Sequence, residues 1–262
     1  MRLVRARHRG ETGWWRIEGN ALLFVSERPP WEKRPEEGKH AAAGARPRRA
    51  DFDEVTILAP AAPAKIIAIG LNYGDRASEM GAPLPEEPLL VLKPASAVIG
   101  PEEDIVLPPT AARVDYEGEL AVVIGRRVKD AAPAEALRAV FGYTCLNDVT
   151  VRDRQPGDVR WSRAEGFEPF ACVGPAIATG LDPSGLLIET WLNGRRVQAS
   201  RTSQLIFDVA ALVSFASRVM TLEPGDLLST GTPAGVGPLA DGDFVEIRIE
   251  GIGTLRNAVR KA

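Results

Sequence analysis

The sequence predicts an α+β fold in which strands dominate. Three observations carry that reading. Short runs of branched and aromatic residues recur along the chain, bounded by Gly, Pro, Asn or charged turns. Only one segment, Ile206 to Met220, holds a helical period over several turns. There is no internal repeat and no regular strand–helix alternation of the kind that builds a Rossmann sheet or a TIM barrel. At 262 residues the chain is long enough for one or two domains with a sizeable core.

Taken in order, Leu3 to His8, Trp14 to Ile17 and Ala21 to Val25 read as strands, the last two joined as a hairpin through Glu18-Gly19-Asn20. Ser26 to Arg49 is rich in Pro, charge, Ala and Gly without a period, and reads as a long exposed connection. Val55 to Leu58 resumes strand character before Pro60 and Pro63. A boundary is therefore expected near residue 60, between a small β-rich N-terminal module (1–60) and a main domain (61–262). Lys65 to Gly70 is a buried-type strand ending in a glycine turn, and Asp75 can start a short helix after it. Leu89 to Lys93 and Ile105 to Leu107 are strands bounded by prolines. Pro133 suits the first turn of a helix running to about Val140, and Gly142 to Asp148 is the next strand. Leu186 to Leu192 and Arg196 to Ala199, joined through Asn193-Gly194, carry the clearest hairpin signal. In the Ile206–Met220 helix, Val209, Leu212, Val213, Ala216 and Met220 share one face. Leu227 to Ser229, Phe244 to Ile249 and Thr254 to Val259 close the chain as strands.

Composition narrows the function. The chain is 45% hydrophobic and 26% charged, with no apolar run long enough to span a bilayer and no apolar signal core behind its basic start, so a cytoplasmic protein is expected. A net charge of -3 argues against a general nucleic-acid or membrane-surface binder. Cys145 and Cys172 lack metal-ligand spacing and read as reduced core residues. The only histidines, His8 and His40, lie near the N-terminus, so acid/base chemistry elsewhere must use other groups.

Glu117 and Glu119 stand at the mouth of the unbroken apolar run Leu120 to Ile124. In a strand they share a face, roughly 6.6 Å apart, where like charges beside a buried run repel and lose hydration. A divalent cation between them would remove both problems, although such pairs also occur on solvated strand faces. Asp148, ending another apolar strand, would complete an all-oxygen site suited to Mg²⁺, Mn²⁺ or Ca²⁺ and poorly suited to zinc. It could equally cap the turn that follows it.

Here the residues resemble a known family. Lys65-Ile-Ile-Ala-Ile-Gly-Leu-Asn-Tyr73, Leu92-Lys-Pro94, Asp115-Tyr-Glu-Gly-Glu-Leu120, Asn147-Asp148 with Arg152-Asp153, Leu222-Glu-Pro-Gly-Asp226 and Thr230-Gly-Thr-Pro-Ala-Gly-Val-Gly237 are similar, in order, to motifs of the fumarylacetoacetate hydrolase family. The resemblance covers about residues 63 to 260. It implies a mixed β-sandwich roll, usually dimeric, with a divalent metal held at the positions of Glu117, Glu119 and Asp148. Members hydrolyse acylpyruvates or fumarylacetoacetate, decarboxylate oxaloacetate, or isomerise and decarboxylate homoprotocatechuate-pathway intermediates. The N-terminal module resembles that of bacterial 2-hydroxyhepta-2,4-diene-1,7-dioate isomerases. The resemblance also places Lys93, Arg152, Gln155, Thr232 and Tyr73 at substrate-contacting positions.

Two departures bear on the reaction. Hydrolytic members carry a histidine where this chain has Arg76, paired with a glutamate matching Glu79, and that dyad activates water. Arginine cannot be the general base. Arg76 can bind a substrate carboxylate or simply pair with Glu79 three residues on. Many members also carry a lysine where this chain has Glu165, which reads as a solvated lid residue, a base or an extra ligand. Loss of the histidine ranks hydrolysis below isomerisation and decarboxylation. The expectation is a Mg²⁺- or Mn²⁺-dependent isomerase (enol–keto tautomerase) or decarboxylase of a small 2-oxo or 2-hydroxydienoic diacid. Glu79 or Glu165 would move the proton, and Arg152, Lys93 or Arg76 would steer carboxylates. An acylpyruvate-type hydrolase and a catalytically silent metal-binding scaffold remain as alternatives.

Overall fold

The computed structural model describes residues 1–32, 48–157 and 161–262. His40 and most of the expected long connection lie outside the described residues. The first part of the chain forms β1 (Arg2–His8), β2 (Glu11–Glu18), β3 (Ala21–Ser26), β4 (Arg49–Asp51) and β5 (Val55–Leu58). Then come β6 (Ile66–Gly70), α1 (Gly74–Met80), β7 (Leu89–Lys93), β8 (Val98–Ile99) and β9 (Ile105–Leu107). The centre holds β10 (Val114–Tyr116), β11 (Gly118–Ile124), α2 (Pro133–Arg138), β12 (Val140–Asp148), β13 (Thr150–Val151), α3 (Ser162–Glu165) and β14 (Ala171–Ala178). The rest is β15 (Leu187–Leu192), β16 (Arg195–Arg201), α4 (Val209–Val219), β17 (Leu227–Ser229), β18 (Gly237–Pro238), β19 (Phe244–Ile249) and β20 (Gly253–Lys261). The strand-dominated reading holds. Among the described residues no helix is long and apolar enough to cross a membrane.

A 12-stranded sheet runs β4-β3-β2-β1-β14-β12-β11-β17-β6-β7, with β5 added on β1 and β8 on β14. The N-terminal strands therefore continue the sheet that carries β11 and β12, through the β1–β14 pairing. A 5-stranded sheet, β16-β15-β19-β20-β9, lies over it, and a 3-stranded sheet, β13-β10-β18, joins the pair near the site. β11 explains the unbroken apolar run. Leu120, Val122 and Ile124 enter the core shared with Val245, Ile247 and Leu255 of the second sheet. Ala121 and Val123 enter another core with Leu146, Val173 and Leu227. A strand buried on both faces has no polar side to show.

Several expectations are corrected. At the described ends of the stretch Ser26 to Arg49, Ser26 belongs to β3, Trp31 packs edge-on against Trp14 and Phe141, and Arg49 pairs with Leu23, so these ends are part of the fold. The helix expected from Ile206 begins at Val209, because Asp208 caps it through Ala211 N (2.8 Å). Ile206 and Phe207 are instead bonded to Asn72. α2 ends at Arg138, so Val140 opens β12. His8 is buried and stacks edge-on against Trp15, and both cysteines are buried and free.

Candidate metal centre and its cavity

The register of β11 on β12 assembles three carboxylates. Gly118 pairs with Asn147 and Glu119 with Leu146, while Asp148 N donates to Glu117 O at 2.8 Å. Glu117 is not inside a strand. It occupies the break between β10 and β11, which lets its side chain turn toward the others. One carboxylate oxygen each from Glu117, Glu119 and Asp148 lies within 4.8 Å of the other two.

Each carboxylate is held by one oxygen. Glu119 Oε2 accepts from Ser229 Oγ and from Gly231 N (2.8 Å). Glu117 Oε1 accepts from Arg152 Nη2, and Asp148 Oδ1 from Lys93 Nζ. Among the described residues no donor reaches the second oxygen of any of the three, which leaves one from each for a ligand. Gly231 can donate because its φ of +96° is one that side chains rarely adopt, and a Cβ there would meet Asn72 Cβ at 2.9 Å.

The electrostatics favour a cation. Burial first, then the charges of Asp148 and Glu117, push the Glu119 carboxyl well above the ordinary carboxylate range. Burial also raises Glu117, against the opposing pull of Arg152. Buried, mutually repelling, all-oxygen donors with one free oxygen apiece fit a hard divalent ion.

Gly118, between the two glutamates, faces the second sheet. Its N donates to Gln198 Oε1 at 3.0 Å, and Gln198 Oε1 also accepts from Thr190 Oγ1 (2.6 Å). A Cβ on Gly118 would fall inside the van der Waals shell of Thr190 Oγ1 and within 3.2 Å of Gln198 Oε1. Gly118→Ala is therefore expected to destabilise the fold by about 1–3 kcal/mol and to displace both glutamates. A thermal melt and a metal titration that match wild type would refute this packing argument.

The carboxylates open on a cavity of about 120 Å³. Of the residues expected to form the site, Arg76, Arg152, Gln155, Glu165 and Thr232 line it beside the three acids, while Tyr73, Glu79 and Lys93 do not. Tyr73 is fully buried, and burial, with Glu119 and Asp75 nearby, raises its hydroxyl pKa. Lys93 is enclosed on Asp148 and Val149 O (3.4 Å), where it neutralises a carboxylate. Glu79 pairs with Arg76 and accepts from Gly235 N at 3.1 Å. Thr232 Oγ1 donates to Gly118 O and accepts from Gln198 Nε2, so it offers the cavity only a lone pair.

Glu165 is not solvated; it is 5% exposed. Its Oε1 accepts from Gln155 Nε2 (3.4 Å), and its Oε2 is buried without a partner among the described residues. Burial, then the charges of Asp148 and Glu117, push its carboxyl up to about 8, with Lys93 opposing. Gln155 is oriented by Arg152 Nη1, which donates to its Oε1 at 2.6 Å. Arg152 Nε in turn donates to Asp115 Oδ2 at 2.9 Å. Burial works against the Arg152 charge, but Glu117 and Asp115 outweigh it and raise its pKa.

Sequence reasoning missed Asp115, Gln198, Ser229 and Trp161. Asp115 was visible in the two-residue alternation Asp115-x-Glu117-x-Glu119. The other three are brought in by the tertiary structure, Trp161 forming the apolar wall with Ile69, Leu71 and Met80.

Comparison with known proteins gives a concordant picture. The family described as fumarylacetoacetate (FAA) hydrolase, C-terminal, matches residues 65–260. An uncharacterized protein of Archaeoglobus fulgidus is 56% identical over 79% of this chain and 83% of its own. The mitochondrial oxaloacetate tautomerase FAHD2B of Bos taurus is 41% identical over 79% of this chain and 70% of its own. Among solved structures, the 2-hydroxyhepta-2,4-diene-1,7-dioate isomerase of Mycobacterium marinum is 41% identical with a TM-score of 0.87, covering 100% of this chain and 98% of its own. The maleylpyruvate hydrolase of Sphingobium sp. SYK-6, in complex with manganese(II) and pyruvate, is 31% identical with a TM-score of 0.81 over 100% of both chains.

Proposed function

The chain belongs to the fumarylacetoacetate hydrolase family, and on that premise we propose that it is a divalent-metal-dependent isomerase, an enol–keto tautomerase of a small 2-oxo or 2-hydroxydienoic diacid. The observation that carries this reading is Glu165, a buried carboxyl with one unpartnered oxygen in the same cavity as three carboxylates suited to a cation. Glu117, Glu119 and Asp148 would hold Mg²⁺ or Mn²⁺. When bound, such an ion supplies a Lewis acid for the 1-carboxylate and 2-oxygen of the substrate and stabilises negative charge developing on that oxygen. Arg152, fixed by Asp115 and Gln155, keeps Glu117 in place and brings positive charge to the cavity. Glu165 gives a proton to the carbon end of the enol and is reprotonated from solvent, while the enol hydroxyl releases its own proton; the net change is an isomerisation. The apolar wall of Leu71, Met80 and Trp161 limits water around the developing charge.

Hydrolysis and decarboxylation use the same stabilised charge. The likeness to maleylpyruvate hydrolase favours hydrolysis as a second reading. Against it, both acids of α1 are engaged: Glu79 has one oxygen on Arg76 and the other on Gly235 N, and Asp75 accepts from Ser200 Oγ (2.5 Å) and Ala234 N (3.4 Å). The purified protein is expected to accelerate ketonisation of a 2-hydroxydienoate, to lose the effect in excess chelator and to regain it with Mg²⁺. NMR on a substrate panel separates tautomerisation from CO₂ loss and from release of pyruvate. Full activity in excess chelator would sink the metal-dependent reading.

A further inference from the structure

We propose that Arg76, pre-oriented by Glu79, is the specificity-determining residue of the cavity and reads a second carboxylate on a short 2-oxo diacid. The inference rests on the functional reading above and deepens it. Four carboxylates and two arginines line the cavity. A dianionic substrate leaves one carboxylate at the acid cluster and needs a cation for the other. Arg152 is largely committed. Its Nε is on Asp115, Nη1 on Gln155 and Nη2 on Glu117. Lys93 is enclosed on Asp148 and does not reach the cavity.

Arg76 differs. Only its Nη1 is engaged, with Glu79, and among the described residues no acceptor takes Nε or Nη2. A guanidinium carries five N–H donors, so one ion pair leaves a fork free for a second carboxylate. Glu79 cannot follow a substrate into the cavity, because its other oxygen is tied to Gly235 N at 3.1 Å. It therefore acts as a positioning residue that holds Arg76 in one rotamer and lowers the entropy lost on binding. The charge of Arg76 also reaches the acid cluster, where it acts on Glu117. The remaining wall near α1 is apolar, from Ile69, Leu71 and Met80. At about 120 Å³, the space suits a diacid of a few carbons.

The test compares two stable acids of equal chain length, 2-oxoglutarate and 2-oxopentanoate, by calorimetric titration into Mg²⁺-loaded protein. Wild type is expected to prefer the diacid. R76Q is expected to weaken 2-oxoglutarate by roughly 10–100-fold and to leave 2-oxopentanoate within about threefold. R76K keeps part of the preference as a point charge, and E79Q loses part of it. Thermal melts establish that the variants fold. Equal weakening of both acids by R76Q, or no weakening of either, overturns the inference while leaving the tautomerase reading intact. Selective diacid binding by wild type without turnover of any enol would do the reverse. Failure of wild type to bind 2-oxoglutarate overturns the inference, whereas the tautomerase reading stands or falls on turnover of an enol.

Discussion

Replacing Glu119 with glutamine is expected to reduce turnover by about 10³-fold or more while raising the thermal stability of the metal-free protein. Glu119 is 2% exposed, and its charge is opposed by burial and by Asp148 and Glu117. The glutamine carbonyl can still accept from Ser229 Oγ and Gly231 N, so the side chain keeps its seat. What it loses is the anionic oxygen facing its neighbours. The sign of the stability change follows from linkage. A carboxyl whose folded pKa is raised gives its full stability below its unfolded pKa and loses it as pH rises through the folded value. The advantage of Glu119→Gln over wild type should be absent in acid, grow above roughly pH 4.5, and persist at neutral pH. Mg²⁺ reverses the ranking, because only wild type gains the stabilisation that binding to the native state confers. Melts with and without Mg²⁺ across pH check each step. A variant that kept both turnover and a Mg²⁺-induced melting shift would show that Glu119 is not a ligand.

The parts of this protein legible in sequence are those whose cause is local. The run Leu120 to Ile124 of β11 showed its burial because neither of its faces carries a polar residue. The β15–β16 hairpin showed itself because Asn193 and Gly194, with φ of +51° and +78°, are turn residues. β14 was invisible, because Gly174 and Pro175 interrupt its alternation, yet it joins the N-terminal strands to β12. Its residues are chosen by close packing against Pro101 and β12, which no short window reveals. The site divides in the same way. The spacing of Glu117 and Glu119 is local, and Asp148 joins them through the β11–β12 register. The burial of Lys93 and of Glu165 is not visible in a short window for one reason. Their exposure depends on segments distant in sequence, Asp148 for the one and the helical turn Arg152–Gly157 for the other. Lys93, expected at a substrate-contacting position, is enclosed; Glu165, open in sequence to a solvated lid, a base or an extra ligand, is buried in the cavity wall.

That burial makes Glu165 the residue on which the proton step turns. With its carboxyl pushed up to about 8, the side chain is protonated at neutral pH and can donate. Turnover should then fall as pH rises. The midpoint of that limb should lie below about 8 in the metal-loaded enzyme, since added positive charge beside the carboxyl favours its ionised form. Glu165→Gln preserves shape and the contact with Gln155 but cannot give up a proton. It is expected to lower kcat by about 10²-fold, to abolish the alkaline limb, and to leave substrate affinity nearly unchanged. A purely structural role predicts a different pattern. Because the folded pKa is raised, wild-type stability is fully present below the unfolded value and declines as pH rises through about 8. Glu165→Gln should flatten that decline, worth on the order of a few kcal/mol, whether or not the residue takes part in the reaction. Stability and kcat measured against pH on the same two proteins therefore separate the roles. A flattened stability profile with an unchanged kcat profile would leave Glu165 as a buried neutral acid and remove it from the proton step.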